Sequence, residues 1–167
     1  MNELQSFRNF WKEYTRLGDI ISLLHWDSEV MMPEDAREER AEQISQLSSL
    51  SHKMFTGEEA KRHIENLHNL ISKNPPEAVP LKRELEILER DRNRAITLPV
   101  ELVERFSKLT NLAHGIWADA KKNKDFKSFE PTLTEITELS IEMAECYGYK
   151  TERYDALLEG YETGAKS

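Results

Sequence analysis

The chain has 167 residues, of which 32% are charged and 38% hydrophobic, a profile that suits amphipathic helices with one apolar stripe and a solvated back. Six glycines and six prolines are too few for the many turns of an all-β fold, and a net charge of −8 argues against nucleic acid as a partner. A single cysteine, Cys146, excludes an internal disulfide and a thiolate zinc site. No run of about 18 apolar residues is present, so no membrane span is expected. The opening "MNELQSFRNF" lacks the pattern of a signal peptide, and a cytoplasmic protein is expected.

Periodicity and punctuation divide the chain into helices. Leu4, Phe7, Trp11 and Tyr14 recur at steps of three and four, and Leu17, Ile21 and Leu24 continue the stripe. This is one long helix with a soft point at Gly18, or two helices; it ends near Met32, because Pro33 disfavours helical geometry in its predecessor. A second helix is predicted from Pro33 or Glu34 to Met54, with Ala41, Ile44, Leu47 and Leu50 inward and Glu34 and Asp35 in its first turn. A third begins at "TGEE", where Thr56 and Glu59 form a capping-box pattern, and carries Ile64, Leu67 and Ile71. "KNPPEAVP", residues 73–80, is the clearest loop.

The fourth helix holds Leu81, Leu85 and Leu88 and fades near Thr97; Pro99 then opens a fifth in a first-turn position that proline tolerates. Its stripe is the strongest in the chain: Leu102, Phe106, Leu109, Ala113, Ile116, Trp117 and Ala120. A loop "KKNKDFKSFEP" leads to a sixth helix with Leu133, Ile136, Leu139, Met143 and Tyr147, closed by Gly148 in a left-handed cap. A short helix, "YDALLEGYE", follows. No segment alternates as a strand does, and no repeat of fixed period is present. The expected fold class is all-α: a single helical domain over residues 1–167, a multi-helix antiparallel bundle of about six to eight helices.

The motifs offer little chemistry. In "HIENLH", His63 and His68 are five apart, which swings the second ring about 140° round a helix; a helical zinc pair needs four. Both are expected to be surface or boundary histidines. His25 and Glu29 share a helix face while Asp27 points elsewhere, so "LLHWDSEVMMP" reads as a helix end finished and anchored by Trp26, Met32 and Pro33. Cys146 lies in an apolar stripe with no adjacent histidine and reads as a buried, inert thiol. "DARE" (35–38) and "DRNR" (91–94) read as charged helix surface. No phosphate-binding glycine loop and no nucleophile elbow occurs. No catalytic, cofactor-binding or metal-ligating residue is assigned.

Several stretches together resemble the N-terminal part of the M32 metallocarboxypeptidases, the carboxypeptidase Taq family. The family's "WD-x-E-x-x-MP" phrase is matched by Trp26, Asp27, Glu29, Met32 and Pro33, and its "AR-x-EQ" helix by "REERAEQISQLSSLSHK". "LPVELVERFSKLTNLAHGIWADAKKNKDFKSFEPTL" and "GYKTERYDALLEGYETGAKS" follow two further family patterns in collinear order, with "YETG" where "YEPG" is usual. "DAREE" lacks the threonine of the family's "D-x-R-x-T" and lies too early to stand for it.

The resemblance implies a mostly helical enzyme with a deep groove leading to one divalent metal, zinc or cobalt, that removes residues from peptide C-termini. It covers only roughly the first third of a family member. The "HExxH" helix and its further glutamate ligand belong downstream, and no position here corresponds to them. The chain is therefore expected to be the lid or wall over the groove, inactive alone and holding no metal. Faces meant for the catalytic portion, in the Trp11–Trp26 or Phe106–Trp117 stripes, would lie open, and self-association or binding to a catalytic M32 portion is expected. Peptides would bind only when the two portions are joined. The alternative is a stand-alone helical interaction or regulatory module derived from the family, without hydrolase activity.

Overall fold

In the computed structural model, residues 3–73 and 78–167 are described. They form seven α-helices and one 3-10 turn: α1 Glu3–Val30, the turn Glu34–Ala36, α2 Arg37–Thr56, α3 Glu58–Ile71, α4 Ala78–Ala95, α5 Val100–Asn123, α6 Phe126–Tyr147 and α7 Arg153–Leu158. No strand occurs among the described residues. The fold is all-α.

Side-chain pairs set the direction of each neighbour. Along α2 and α5, Arg37 meets Asp119, Glu42 meets Lys108, Ser48 meets Ser107 and His52 meets the Leu98 carbonyl, so the two helices run antiparallel. Asp27 on α1 pairs with Arg40 while Trp11 packs on Phe55, which makes α1 antiparallel to α2. His68 reaches Glu89, and Arg92 donates to the Thr56 and Gly57 carbonyls, so α3 and α4 are antiparallel too. Arg8 grips both carboxylate oxygens of Glu84, tying the start of α1 to α4. Short connections force this up-and-down order.

The densest core lies where the start of α1, the end of α2, and α3 and α4 converge. Phe7, Phe55, Leu67, Leu85 and Leu88 are buried there, with Trp11, Tyr14 and Ile64 packed against them. A ladder of rings, Phe7 on Trp11, Trp11 on Tyr14 and Tyr14 on Phe55, fills the space. Ring contacts of this kind add to area burial. His63 is also buried here, 4% exposed, its ring 4.9 Å from that of Phe10 and 6.3 Å from that of Phe7. It is not the boundary residue expected, because the turn of α3 that carries it faces α1. His68, one turn on, is exposed.

Of the two alternatives for the first segment, α1 is the single long helix, passing through Gly18 without a break. Other expectations need correction. The inner face of α2 is Ala41, Ile44, Ser45 and Ser49, all buried, while Leu50 is 54% exposed. Small serines let α5 approach closely, and Ser45 Oγ donates to the Glu104 carbonyl at 3.0 Å, so its polarity is satisfied. Thr56 does not cap α3: it is the last residue of α2, its hydroxyl donates back to the His52 carbonyl, and Gly57 takes the N-cap position. A Cβ at Gly57 would stand 2.8 Å from the Lys53 carbonyl oxygen, which explains the glycine.

Most of the loop expected over 121–131 is helical. Only Lys124 and Asp125 separate α5 from α6. Lys124 adopts a left-handed conformation (φ 54°, ψ 36°), its N–H bonding the Lys121 carbonyl while the Asp125 N–H bonds that of Ala120. That double closure ends a helix even without glycine. Pro131 sits inside α6, near enough its start that the carbonyl it leaves unbonded, on Lys127, belongs to an exposed first-turn residue. Gly148 has a positive φ of 74° but ψ of 152°, an extended rather than helical left-handed turn. Leu133, placed inward by periodicity, is 40% exposed. Of the loop at 73–80, residues 78–80 begin α4, and 74–77 lie outside the described residues.

Two predictions follow from this packing. Ile44→Ala should cost about 2–4 kcal/mol in urea unfolding, and Leu50→Ala less than about 0.5 kcal/mol, because only the first leaves a cavity. Burial holds the His63 pKa below its ordinary value, Glu59 at 4.0 Å pulling it up only in part and Arg62 pushing it further down. The unfolded chain then binds a proton that the folded chain resists, so stability falls as pH drops below about 6.5. Denaturant midpoints taken between pH 7 and 5 should fall more steeply in the wild type than in His63→Gln.

Candidate functional site

The helices frame a set of concavities around His25 and Arg94. One, about 430 Å³, opens between α1, α2, α4, α5 and α6 and is lined by His25, His52, Arg94, Val103, Phe106 and Tyr147 among others. Its floor is mainly apolar, with a few polar groups at the rim. That is the common form of a binding pocket. His52 Nε2 lies 3.0 Å from the Leu98 carbonyl, which fixes its ring. A smaller cleft of about 70 Å³ on the other side of His25 brings Glu29, Arg37 and His114 together. Asp27 turns away from both and pairs with Arg40 at 2.5 Å.

That pair explains the end of α1. Arg40 also donates to the Leu24 carbonyl at 3.2 Å and to Gln43, so one guanidinium ties the last turn of α1 to the second turn of α2. The amides of Met31 and Met32 both bond the Asp27 carbonyl, closing the helix before Pro33. Trp26, expected to anchor this end, is instead 54% exposed, and Met31 is 68% exposed. The α1 face that carries Trp26 is thus exposed.

Neither "DARE" nor "DRNR" is a plain solvated face. Arg37 pairs with Asp119 at 2.6 Å, and its side chain crosses α5 at Gly115, where a Cβ would come within 2.8 Å of the guanidinium. This pairing holds the Arg37 pKa above, and the Asp119 pKa below, their ordinary values. Arg92 Nη2 donates to the Thr56 carbonyl at 2.6 Å. Arg94 lies over the Tyr147 ring, 3.5 Å from its centroid, and donates to the Ala156 carbonyl at 2.5 Å. Burial pushes the Tyr147 phenol up, and Arg94 opposes that shift only in part. The α4 cations thus fasten α2, α6 and α7. Sequence reading missed them because arginines at helical spacing look alike whether they meet water or a distant carbonyl.

Elsewhere, Trp117, Phe126 and Phe129 line a further cleft of about 290 Å³ at the α5–α6 turn, with Lys121 Nζ 4.7 Å from the Trp117 ring centroid. Trp117 and Phe126 are 41% and 60% exposed. Cys146 is a free thiol and half-buried rather than buried as expected.

Among the described residues, no three His, Cys, Asp or Glu side chains converge where a metal ion could sit. His63 faces phenylalanines, His68 is engaged by Glu89 at 2.7 Å, and His25, Glu29 and His114 share a cleft without forming a ligand set. The described residues do not fit a divalent metal. No helix among the described residues is long and apolar enough to cross a membrane.

The model of the carboxypeptidase Taq (M32) metallopeptidase family matches residues 6–167, and the chain belongs to that family. It is 35% identical over 164 residues to thermostable carboxypeptidase 1 of Pyrococcus furiosus, covering 98% of this chain and 31% of that protein. Carboxypeptidase 1 of Bacillus subtilis is 29% identical, with 96% and 31% covered. In structure, the chain is similar to BsuCP, with a TM-score of 0.91 at 26% identity over 99% of this chain and 33% of that one. It is also similar to the Pyrococcus furiosus carboxypeptidase in its apo-Mg form, with a TM-score of 0.74 at 32% identity, 99% and 33% covered. The chain spans about a third of the length of these relatives.

The junction of α1 and α2 supplies a test. Asp27→Ala should cost about 1–2 kcal/mol, since a part-buried charged hydrogen bond is lost. Arg40→Ala should cost more, because it also removes the donor to the Leu24 carbonyl and to Gln43. Hydrogen exchange at the amides of residues 28–32 should quicken in both, while exchange in α3 stays unchanged.

Proposed function

We propose that this chain is the N-terminal lid and wall of an M32-type carboxypeptidase, and that it cleaves no peptide unless joined to a catalytic portion. The observation that carries the reading is the collinear family match over residues 6–167, in a chain one third as long as its relatives, with no ligand set among the described residues. In this reading, a divalent metal, zinc or cobalt, is held entirely by the catalytic portion. These helices supply shape: they bound a groove, keep water out of it and limit which peptides enter. The cleft of Trp117, Phe126 and Phe129, rimmed by Lys121 and Lys124, is the face assigned to the catalytic portion. Exposed aromatics beside aliphatic side chains are the usual anchors of such contacts.

Two preparations test this. The first is the purified chain with zinc or cobalt and a peptide; the second is a chimera in which the chain replaces the matching first third of the Pyrococcus furiosus relative. The chain alone should release no C-terminal residue, and the chimera should release residues in a metal-dependent way. Phe126→Glu in the chimera should lower activity at least about tenfold. Metal-dependent trimming by the chain alone, or a folded chimera without activity, would sink the proposal.

A further inference from the structure

The pocket beside Arg94 presents two opposite charges over an apolar wall. On α4, Asp91 and Arg94 stand three residues apart, and both line the cavity of about 430 Å³. Opposite charges at that spacing are neighbours on a helix, about 5–6 Å apart at Cβ, and are well placed to pair with each other. Here each is held by another group. Arg90 takes the Asp91 carboxylate at 2.7 Å, while Arg94 lies over the Tyr147 ring and turns to the Ala156 carbonyl at 2.5 Å. A carboxylate accepts several donors and a guanidinium carries five, so both keep capacity for a ligand.

The wall facing them is apolar. Val103 and Phe106 come from α5, Met143 from α6, and Leu98 from the turn that follows α4. The polar groups between are fixed by the protein itself. His52 Nε2 is bonded to the Leu98 carbonyl at 3.0 Å, and Ser48 and Ser107 share a bond of 2.8 Å. In that serine pair one hydroxyl donates and the other keeps a hydrogen to give. Burial pushes the Tyr147 phenol up, so it stays a hydroxyl. A concave apolar site with a few oriented polar groups takes a small molecule. A hydrocarbon would strip water from Asp91 and Arg94 without replacing it, and a purely anionic ligand would meet Asp91. The complement of this pocket is an apolar body bearing a carboxylate and an ammonium side by side.

We propose that the pocket binds a free α-amino acid with an apolar side chain. Its carboxylate lies on Arg94, its ammonium on Asp91, and its side chain against Val103, Phe106 and Met143. So small a ligand makes few contacts, which places its dissociation constant at about 0.1–1 mM. This site does not rest on the lid reading and lies apart from the Trp117 cleft assigned to the catalytic portion.

Titration of the isotope-labelled chain with L-leucine, followed by the shifts of its backbone amide resonances, tests the proposal. Saturable shifts should concentrate at Ser48, His52, Val103 and Tyr147. Isocaproate lacks the ammonium, isoamylamine lacks the carboxylate and glycine lacks the side chain; each should bind at least about tenfold more weakly. Asp91→Asn should weaken leucine at least about tenfold and leave isocaproate unchanged. Val103→Trp, which fills the cavity and whose helix content is checked by circular dichroism, should abolish the shifts. No saturable shift with leucine up to about 20 mM, or isocaproate binding as tightly as leucine, would overturn the proposal and leave the lid reading untouched. Leucine binding indifferent to both Asp91→Asn and Val103→Trp would overturn it as well.

Discussion

Everything in this bundle depends on how closely α2 and α5 approach. α2 is the central helix, touching α1 on one side and α5 on another, with α3 and α4 across its end. Close approach requires small side chains at the seam, and Ala41, Ser45, Ser49, Ala113 and Gly115 provide them. Serines at such a seam must bond or be penalised. Ser45 meets the Glu104 carbonyl and Ser48 meets Ser107 at 2.8 Å, so the polar atoms become register marks rather than liabilities. Gly115 leaves the space in which the Arg37 guanidinium reaches Asp119.

Around that seam the fold is stitched by arginines that reach across helix boundaries. Arg40 holds the end of α1, Arg92 the α2–α3 corner, and Arg94 the carbonyl of Ala156 in α7. The Thr56 and Ala156 carbonyls stand at helix ends and lack an intrahelical partner, and a guanidinium with five donors can satisfy such a group while its stem packs on apolar surface. Tyr147 shows the same economy: its ring is the platform for Arg94 and also part of the pocket that His25 and His52 share. A chain with 32% charged residues can in this way build a scaffold with a modest core.

The same scaffold leaves two apolar faces open, and they differ in character. The stripe of α1, from Ile20 to Val30, is linear and carried by one helix. The cleft of Trp117, Phe126 and Phe129 is concave and rimmed by lysines. The chain that carries both belongs to the M32 family and spans a third of its relatives' length.

The sequence by itself determined the helical class, the order of the helices and most inward stripes, because spacings such as Phe7–Trp11–Tyr14 and Leu81–Leu85–Leu88 admit only one face of a helix. Its motif phrases also carried the family, since aromatic, acidic and proline positions agree in order along the chain. It did not reveal which apolar residue in a stripe is covered: Leu50 and Leu133 keep the period yet lie in water, while Ser45, Ser49 and His63 are buried. Nor could it separate Trp26, left outside, from Asp27 beside it, which fastens α1 to α2. Burial and ion pairing depend on what stands opposite, and a neighbour some 13 to 82 positions away along the chain leaves no local mark. The helix end at Lys124 was hidden for a related reason, being made by the Ala120 and Lys121 carbonyls turning back on the next two amides, with no glycine to announce it.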